Sequence, residues 1–213
     1  MLPDERLVLL ADGITGRKGA AVASQLAVHA VHAHLRQREW DEQPRRDGSA
    51  QQSEDWLRAA FGAAGRLLRE QQTERLGDRE QARGVTTLIA LAFVDDEALV
   101  AHVGDSRCYR LRAGWLEPLT KDHTLLAQSR AHVTTEELEY LRPLQELALS
   151  RSLGGAAAQV DVARSQMRSG DVYLVCSNGL VEGLGDPEVQ QILQSWREPR
   201  QASDRLVAAS RAA

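Results

Sequence analysis

Cysteine is scarce in this sequence, and the features of a secreted or membrane-spanning chain are missing. Cys108 and Cys176 each lie in an apolar run typical of a strand, and neither has a partner at zinc or redox spacing. No apolar run approaches the ~20 residues of a membrane span. The N-terminus has no basic start followed by a long apolar region. We therefore expect two reduced core thiols in a cytoplasmic protein with no membrane span.

Positive charge is not in excess either. The sequence has 26 Lys and Arg residues against 30 Asp and Glu residues, a formal net charge of −4. This balance argues against a general nucleic-acid binder, so we expect no nucleic-acid partner. Walker A, Gly-x-Ser-x-Gly and Rossmann signatures are also missing. The 213 residues suit one large domain, and the chain is long enough to bury a sizeable core without disulfides.

The apolar pattern of the first part of the chain predicts long helices. A short strand over 6–11 is followed by an Ala-rich helix over 15–40 and a polar loop over 41–52. A second helix follows, with Ser53 as its predicted N-cap. Its apolar face, at helical spacing, comprises Leu57, Phe61, Ala64 and Leu68.

The sequence from Gly84 onward favours strands. Three strands within 85–112, with breaks at 95–97 and 104–105, predict an antiparallel meander, and Ala113-Gly114 predicts a further hairpin. The remaining predicted elements are a helix over 134–141, strands over 158–167 and 171–177, and helices over 186–196 and 201–213. Early helices and late antiparallel strands predict an α+β fold in a single domain.

Two buried strands end in similar elbows, Asp12-Gly13 and Asn178-Gly179. On spacing alone a simple turn is the better explanation, because Asp-Gly and Asn-Gly are strong turn signals. After Gly13, however, the sequence predicts a helix and not a second strand. A carboxylate at a strand end, beside an open backbone carbonyl, also suits a hard cation such as Mg2+ or Mn2+.

Six segments in order along the chain favour the cation site. They are ADGITG, RGVTTLIAL, HVGDSRCYRL, LTKDHTLL, LSRSLGG and SGDVYLVCSNGL. Together they resemble the PPM-type, metal-dependent protein Ser/Thr phosphatases (protein phosphatase type 2C-like), particularly bacterial members. Each motif alone is weak, but the ordered set covers nearly all of residues 6–213.

The resemblance implies an α-β-β-α sandwich, in which two mainly antiparallel sheets are flanked by helices. It implies a binuclear Mn2+ or Mg2+ centre whose hydroxide attacks phosphoserine or phosphothreonine. Asp12 matches the family's bridging carboxylate, which makes it the catalytic and metal residue, and Gly13 matches a carbonyl ligand. Asn178 stands where the family has a metal-binding Asp, and Asp105 matches a residue near a weaker third metal. We expect Asp12, Asp105 and Asn178 to converge at one end of the sandwich.

The sequence departs from the family pattern at several places. Asn178 carries no charge, which weakens cation binding. Arg17 stands where the family has a His; an Arg cannot usefully donate a proton near neutral pH but can bind phosphate, so we expect Arg17 to be a phosphate-binding residue. The family's first and last strands, with their ligands, are expected to be missing. In a metal-free site we expect Asn178 to hydrogen-bond Asp12.

Two hypotheses follow for the function. The first is a phosphatase domain with a degraded metal site, weak or inactive, acting as a pseudophosphatase or regulatory phosphoprotein binder. Its partner would be a phosphoserine or phosphothreonine protein or a partner kinase. The alternative is an active Mn/Mg-dependent protein Ser/Thr phosphatase, complete or part of a longer enzyme. The number of anionic ligands at the site discriminates between the two.

The histidines offer a weaker set of candidates. His29 and His32 lie three residues apart on the predicted first helix, but no third metal ligand at suitable spacing accompanies them. His102 lies in a predicted strand and is expected to face the core or the sheet surface. His123, in TKDHTLL, matches the family pattern, from which we expect a structural or flap role.

Overall fold

The structure is a computed structural model that describes residues 6–14, 19–36, 49–76, 84–129, 148–155, 158–196 and 198–213. Its strands are β1 (Leu7–Leu10), β2 (Leu88–Val94), β3 (Glu97–Val103), β4 (Arg107–Arg112), β5 (Trp115–Pro118), β6 (Asp161–Gln166) and β7 (Val172–Cys176). Its helices are α1 (Ala20–Arg36), α2 (Ser49–Leu76), α3 (Leu125–Ser129), α4 (Asn178–Gly183), α5 (Asp186–Ser195) and α6 (Pro199–Ala212). Within these ranges no helix combines the length and apolarity that crossing a membrane requires.

The strands form two antiparallel sheets. The first sheet has the order β1-β2-β3-β6 and the second has the order β5-β4-β7. Alternate residues of a strand point to opposite faces, and β3 shows this directly. Its Leu99, Ala101 and Val103 pack with α1 and α2, whereas Ala98 and Val100 belong to the apolar layer between the sheets.

Helices cover the outer face of each sheet. Helices α1 and α2 pack on the first sheet through fully buried residues that include Val31, Leu57 and Phe61. Helices α5 and α6 pack on the second sheet through Val189 and Leu206. The layers are therefore helix, sheet, sheet and helix, which confirms the predicted α+β sandwich of two antiparallel sheets flanked by helices.

The predicted three-stranded meander is wrong in its last step. β2 and β3 form a hairpin through Asp95-Asp96, and β4 and β5 form one through Ala113-Gly114, as predicted. β4, however, pairs with β5 and β7 and lies in the second sheet. The chain crosses between the sheets at Gly104, whose φ is +108° and whose missing Cβ would lie 2.6 Å from the Thr87 side chain. This Gly-Asp pair therefore serves a sheet-to-sheet crossing, which only a glycine fits.

Other boundaries also differ from the predictions. Helix α2 begins at Ser49, so Ser53 is not its N-cap but a buried residue inside the helix, one turn before Leu57 on the core-facing side. A short helix begins at Asn178, where the sequence suggested only a turn. The helix predicted over 134–141 lies outside the described residues.

Candidate metal centre

Asp12 lies just beyond β1, and its backbone is fixed to the start of β2. The Asp12 carbonyl accepts hydrogen bonds from the Thr87 N–H and the Thr86 hydroxyl, both at 2.9 Å. The Asp12 N–H donates to the Thr87 hydroxyl at 3.1 Å. Burial raises the pKa of the Asp12 carboxyl above its usual value. The sequence thus places a partly desolvated carboxylate on a rigid support.

Gly13 is required by the close approach of the first helix. A Cβ at this position would lie 2.4 Å from the carbonyl oxygen of Ala20, the first residue of α1. Gly13 also pairs with Thr86 in an isolated antiparallel bridge. Any side chain here would push α1 away from the end of the sheet. The steric requirement is independent of the predicted role of the Gly13 carbonyl as a metal ligand, which stays a prediction.

Asp105 follows the crossing between the sheets, and the next residue, Ser106, is linked to the backbone of Asp12 through two hydroxyl groups. The Thr87 hydroxyl, which accepts the Asp12 N–H, lies 2.7 Å from the Ser106 hydroxyl. Burial is the main cause that raises the pKa of Asp105 to about 6, and the nearby carboxylates of Asp122, Asp12 and Glu182 raise it further. Several negative charges are therefore concentrated around Asp105.

Asn178 lies against Asp105, and the prediction that its side chain hydrogen-bonds Asp12 is wrong. The Asn178 side-chain N–H2 donates to Asp105 Oδ2 at 3.3 Å and to Glu182 Oε1 at 3.0 Å. The reason is that α4 starts at Asn178, which places Glu182 one turn along the same helix face. The amide therefore bridges two carboxylates, each of which accepts one of its N–H bonds.

Glu182 is the site residue that sequence reasoning missed. It became visible only when a helix was seen to begin at Asn178, because residues four apart on a helix are neighbours. The sequence does place Asn178 and Glu182 four residues apart in SNGLVEG. That spacing brings two side chains together only in a helix, and the sequence predicted a turn at this position. With Glu182, a third carboxylate joins Asp12 and Asp105.

A cleft of about 730 Å³ opens beside this cluster and is lined by residues that include Asp105, Asn178 and Glu182. Arg107 also lines it and is held by Asp122, which accepts hydrogen bonds from the guanidinium at 2.7, 2.9 and 3.2 Å. The Arg107 side chain is therefore fixed by its own ion pair. The cleft is large enough to admit a phosphorylated side chain and part of its peptide.

The donor chemistry of the cluster fits a hard divalent cation. Asp12, Asp105 and Glu182 offer carboxylate oxygens, and Asn178 offers an amide oxygen if its side chain turns over. The raised pKa of Asp105 shows that this carboxyl is destabilised in its charged form, and a cation would relieve that cost. Arg17, the predicted phosphate-binding residue, lies outside the described residues.

Comparison with known proteins identifies the family. The sequence profile described as Protein phosphatase 2C matches residues 2–209. The chain therefore belongs to the protein phosphatase 2C family, the PPM-type phosphatases, which confirms the resemblance seen in its motifs.

Two relatives illustrate the similarity. The chain is 33% identical over 191 residues to the serine/threonine protein phosphatase PstP of Mycobacterium tuberculosis; the match covers 89% of this chain and 34% of PstP. It is 30% identical over 193 residues to the protein phosphatase PhpP of Streptococcus pneumoniae, covering 89% of this chain and 73% of PhpP. The chain thus spans about a third of the length of PstP.

The solved structure of one relative contains metal ions. The chain is similar to the catalytic domain of PstP in complex with two manganese ions, with 31% sequence identity and a TM-score of 0.74. The match covers 96% of this chain and 80% of that one. The manganese ions belong to that structure, and they motivate the proposal below for this chain.

Proposed function

We propose that this chain is a metal-dependent phosphatase domain that acts on phosphoserine and phosphothreonine, with activity attenuated by Asn178. The observation that supports it is the convergence of Asp105, Asn178 and Glu182, within hydrogen-bond distance, beside an open cleft. Asp12 lies close enough to raise the pKa of Asp105. The compartment that we propose is the cytoplasm, which suits two buried free thiols, Cys108 and Cys176.

The proposed metal ligands are the carboxylates of Asp12, Asp105 and Glu182, with neutral oxygens from Gly13 and Asn178. When bound, Mn2+ or Mg2+ ions would acidify a water molecule and neutralise phosphate charge. The contribution of the chain is to hold these oxygens in place. Thr86 and Thr87 fix the backbone of Asp12, and the cleft gives the phosphorylated side chain access.

Asn178 opposes cation binding in two ways. Its amide carries no negative charge, so the site has one anionic group fewer than an Asp would give. Its N–H2 donates to Asp105 and Glu182, so turning its amide oxygen toward a cation would break these two hydrogen bonds. Both effects lower the cation affinity, which is the reason we propose attenuated turnover and not full activity.

The same two hydrogen bonds support a second candidate, a phosphoprotein-binding domain without turnover. An amide that bridges Asp105 and Glu182 lets the cluster persist without any cation. Such a pseudophosphatase would bind a phosphoserine or phosphothreonine protein, or a partner kinase, through the cleft. It differs from the first candidate in the response to Mn2+.

The test uses p-nitrophenyl phosphate hydrolysis and calorimetric Mn2+ binding with the purified chain and with Asn178→Asp. We expect slow, chelator-sensitive hydrolysis by the parent and Mn2+ binding about tenfold tighter in the variant, equivalent to about 1.4 kcal/mol. Hydrolysis should rise with Mn2+ affinity. If neither protein hydrolyses the substrate at saturating Mn2+, the proposed phosphatase activity is overturned and the phosphoprotein-binding domain is favoured. Fast hydrolysis by the parent would overturn the proposal that Asn178 attenuates the activity.

A further inference from the structure

A second polar cluster lies beside the loop that carries Asp105, and its members are His102, His123 and Asp161. The two imidazole rings stack with centroids 4.5 Å apart, and His102 and His123 are only 3% and 4% exposed. Asp161 faces His102 across β3 and β6. One ligand atom from each of the three residues lies within 4.8 Å of the others. At first sight this is the composition of a transition-metal site.

The hydrogen bonds of His123 argue against that interpretation. The Gly104 N–H points to His123 Nδ1 at 3.2 Å, so Nδ1 must be the accepting nitrogen. A neutral imidazole that accepts at Nδ1 carries its proton at Nε2, which then donates to Asp161 Oδ2 at 3.1 Å. The Arg151 guanidinium nitrogen, 3.4 Å from Nε2, is then in contact with the ring and does not donate to it. His123 Nε2 therefore has no lone pair to offer a metal. The Arg151 guanidinium, 2.8 Å from Asp161 Oδ1, already supplies the positive charge that this carboxylate needs.

His123 instead holds Gly104 from both sides. Its own backbone N–H donates to the Gly104 carbonyl at 3.0 Å, while its ring accepts the Gly104 N–H. Gly104 is the residue that turns the chain from one sheet into the other with a φ of +108°, and Asp105 comes directly after it. Two hydrogen bonds thus fix the peptide groups on either side of Gly104.

The remaining members of the cluster fix the His123 ring. Asp161 accepts from Nε2, and Arg151 holds Asp161. His102 covers one face of the ring, and burial lowers the pKa of His102 to about 4, so this neighbour stays uncharged at neutral pH. Arg151, Asp161, His123 and Gly104 form what we call the His123 hydrogen-bond chain. It joins the Leu-Thr-x-Asp-His and Arg-x-Leu-Gly segments of the sequence to the crossing loop.

We propose that His123 is a positioning residue for Asp105, acting through the Gly104 peptide groups and held in its tautomer by Asp161 and Arg151. The proposal rests on the proposed function, because it assumes that Asp105 ligates a cation. Partners that orient a metal ligand contribute about 10–100-fold to metal affinity when they contact the ligand directly. His123 acts one residue away, so we expect an effect near the lower bound.

Two substitutions distinguish the hydrogen bond accepted at Nδ1 from the hydrogen bond donated at Nε2. His123→Asn keeps an acceptor oxygen near the position of Nδ1 but loses the contact with Asp161. His123→Gln places its amide near the position of Nε2 and keeps the contact with Asp161, but it loses the acceptor for the Gly104 N–H. Both variants lose the ring that stacks on His102, so that loss cancels when the two are compared.

The measurements are calorimetric Mn2+ affinity and hydrogen exchange of the Gly104 amide. We expect His123→Asn to bind Mn2+ within about threefold of the parent and His123→Gln to bind about tenfold more weakly. The Gly104 amide should be protected in the parent and in His123→Asn and should exchange faster in His123→Gln. Equal affinity and equal exchange in the two variants would overturn the positioning role.

A measurement on the parent alone covers the case in which a variant does not fold. Nitrogen-15 NMR of the imidazole reports which ring nitrogen carries the proton, and the proposal requires it on Nε2 of His123. A proton on Nδ1 would overturn the proposal. A parent that binds no Mn2+ would overturn the proposed function together with the positioning role, whereas a parent that binds Mn2+ as tightly as His123→Gln would overturn the positioning role alone.

Discussion

Two aspartates near the same loop occupy opposite electrostatic environments. Asp161 lies 2.8 Å from the Arg151 guanidinium, and its hydrogen bonds from Arg151 and His123 bring its pKa below its usual value despite partial burial. Burial raises the pKa of Asp105 to about 6, and the nearby carboxylates of Asp122, Asp12 and Glu182 add to the rise. The first carboxylate is satisfied by the fold itself. Burial and the nearby carboxylates disfavour the charge of the second, and a bound cation would offset that cost, which supports its proposed role as a cation ligand.

The largest effect that this comparison predicts is on cation binding at Asp12. Asp12→Asn removes one of the three carboxylates of the cluster, so we expect Mn2+ affinity to fall by more than about 100-fold, beyond what indirect partners contribute. Calorimetric titration with Mn2+ measures the loss. Asp55→Asn, on the exposed side of α2, is the matched control and should bind like the parent. Equal losses in the two variants would show that the cluster is not the binding site.

The next effect is on stability without metal. The folded pKa of Asp105 is raised from 3.8 to about 6, so its stabilising contribution is complete below about pH 4 and is lost as the pH rises through 6. In EDTA, Asp105→Asn should therefore become more stable than the parent by up to about 3 kcal/mol between pH 4 and pH 7.5. Urea unfolding across this range measures the difference. A difference that does not grow with pH would contradict the assigned environment of Asp105.

A smaller effect of opposite sign is expected at Asp161. Its folded pKa is lowered, so its contribution is present above its unfolded value of 3.8 and is lost as the pH falls through the folded value. Because nearly half of the side chain is exposed, we expect Asp161→Asn to cost at most about 1 kcal/mol at pH 7 and less in acid. The same urea series provides the test. If Asp161→Asn became more stable than the parent as the pH rises, as expected for Asp105→Asn, the two aspartates would not differ in environment as described.

The layers of the fold could be predicted from the sequence because their signals are local. The apolar face of α2, with Leu57 and Phe61, follows from helical spacing, and both residues are buried in the core. The crossing at Gly104 could not be predicted in the same way, since Gly-Asp reads equally well as a hairpin turn. The need for glycine there comes from the Thr87 side chain, a contact that depends on the pairing of β2 with β3.

The candidate site shows the same division. The ordered motifs pointed to Asp12, Asp105 and Asn178, and the structure brings Asp105 and Asn178 into contact. Glu182 and the partner of Asn178 were missed because they depend on a helix that starts at the elbow itself. The contact between His123 and Gly104 joins two loops that are 19 residues apart in the sequence, and no local pattern reveals it.

The most direct test of the central claim, that Asn178 stands where a charged ligand would bind a cation, is thermal unfolding of the parent and of Asn178→Asp, with and without Mn2+. In EDTA the variant should be less stable by about 1–2 kcal/mol, because a fourth carboxylate replaces the amide that bridges Asp105 and Glu182. With Mn2+ the variant should gain more stability than the parent. A parent strongly stabilised by Mn2+, with no extra gain in the variant, would contradict the claim and leave Asn178 as a working ligand or a simple helix start.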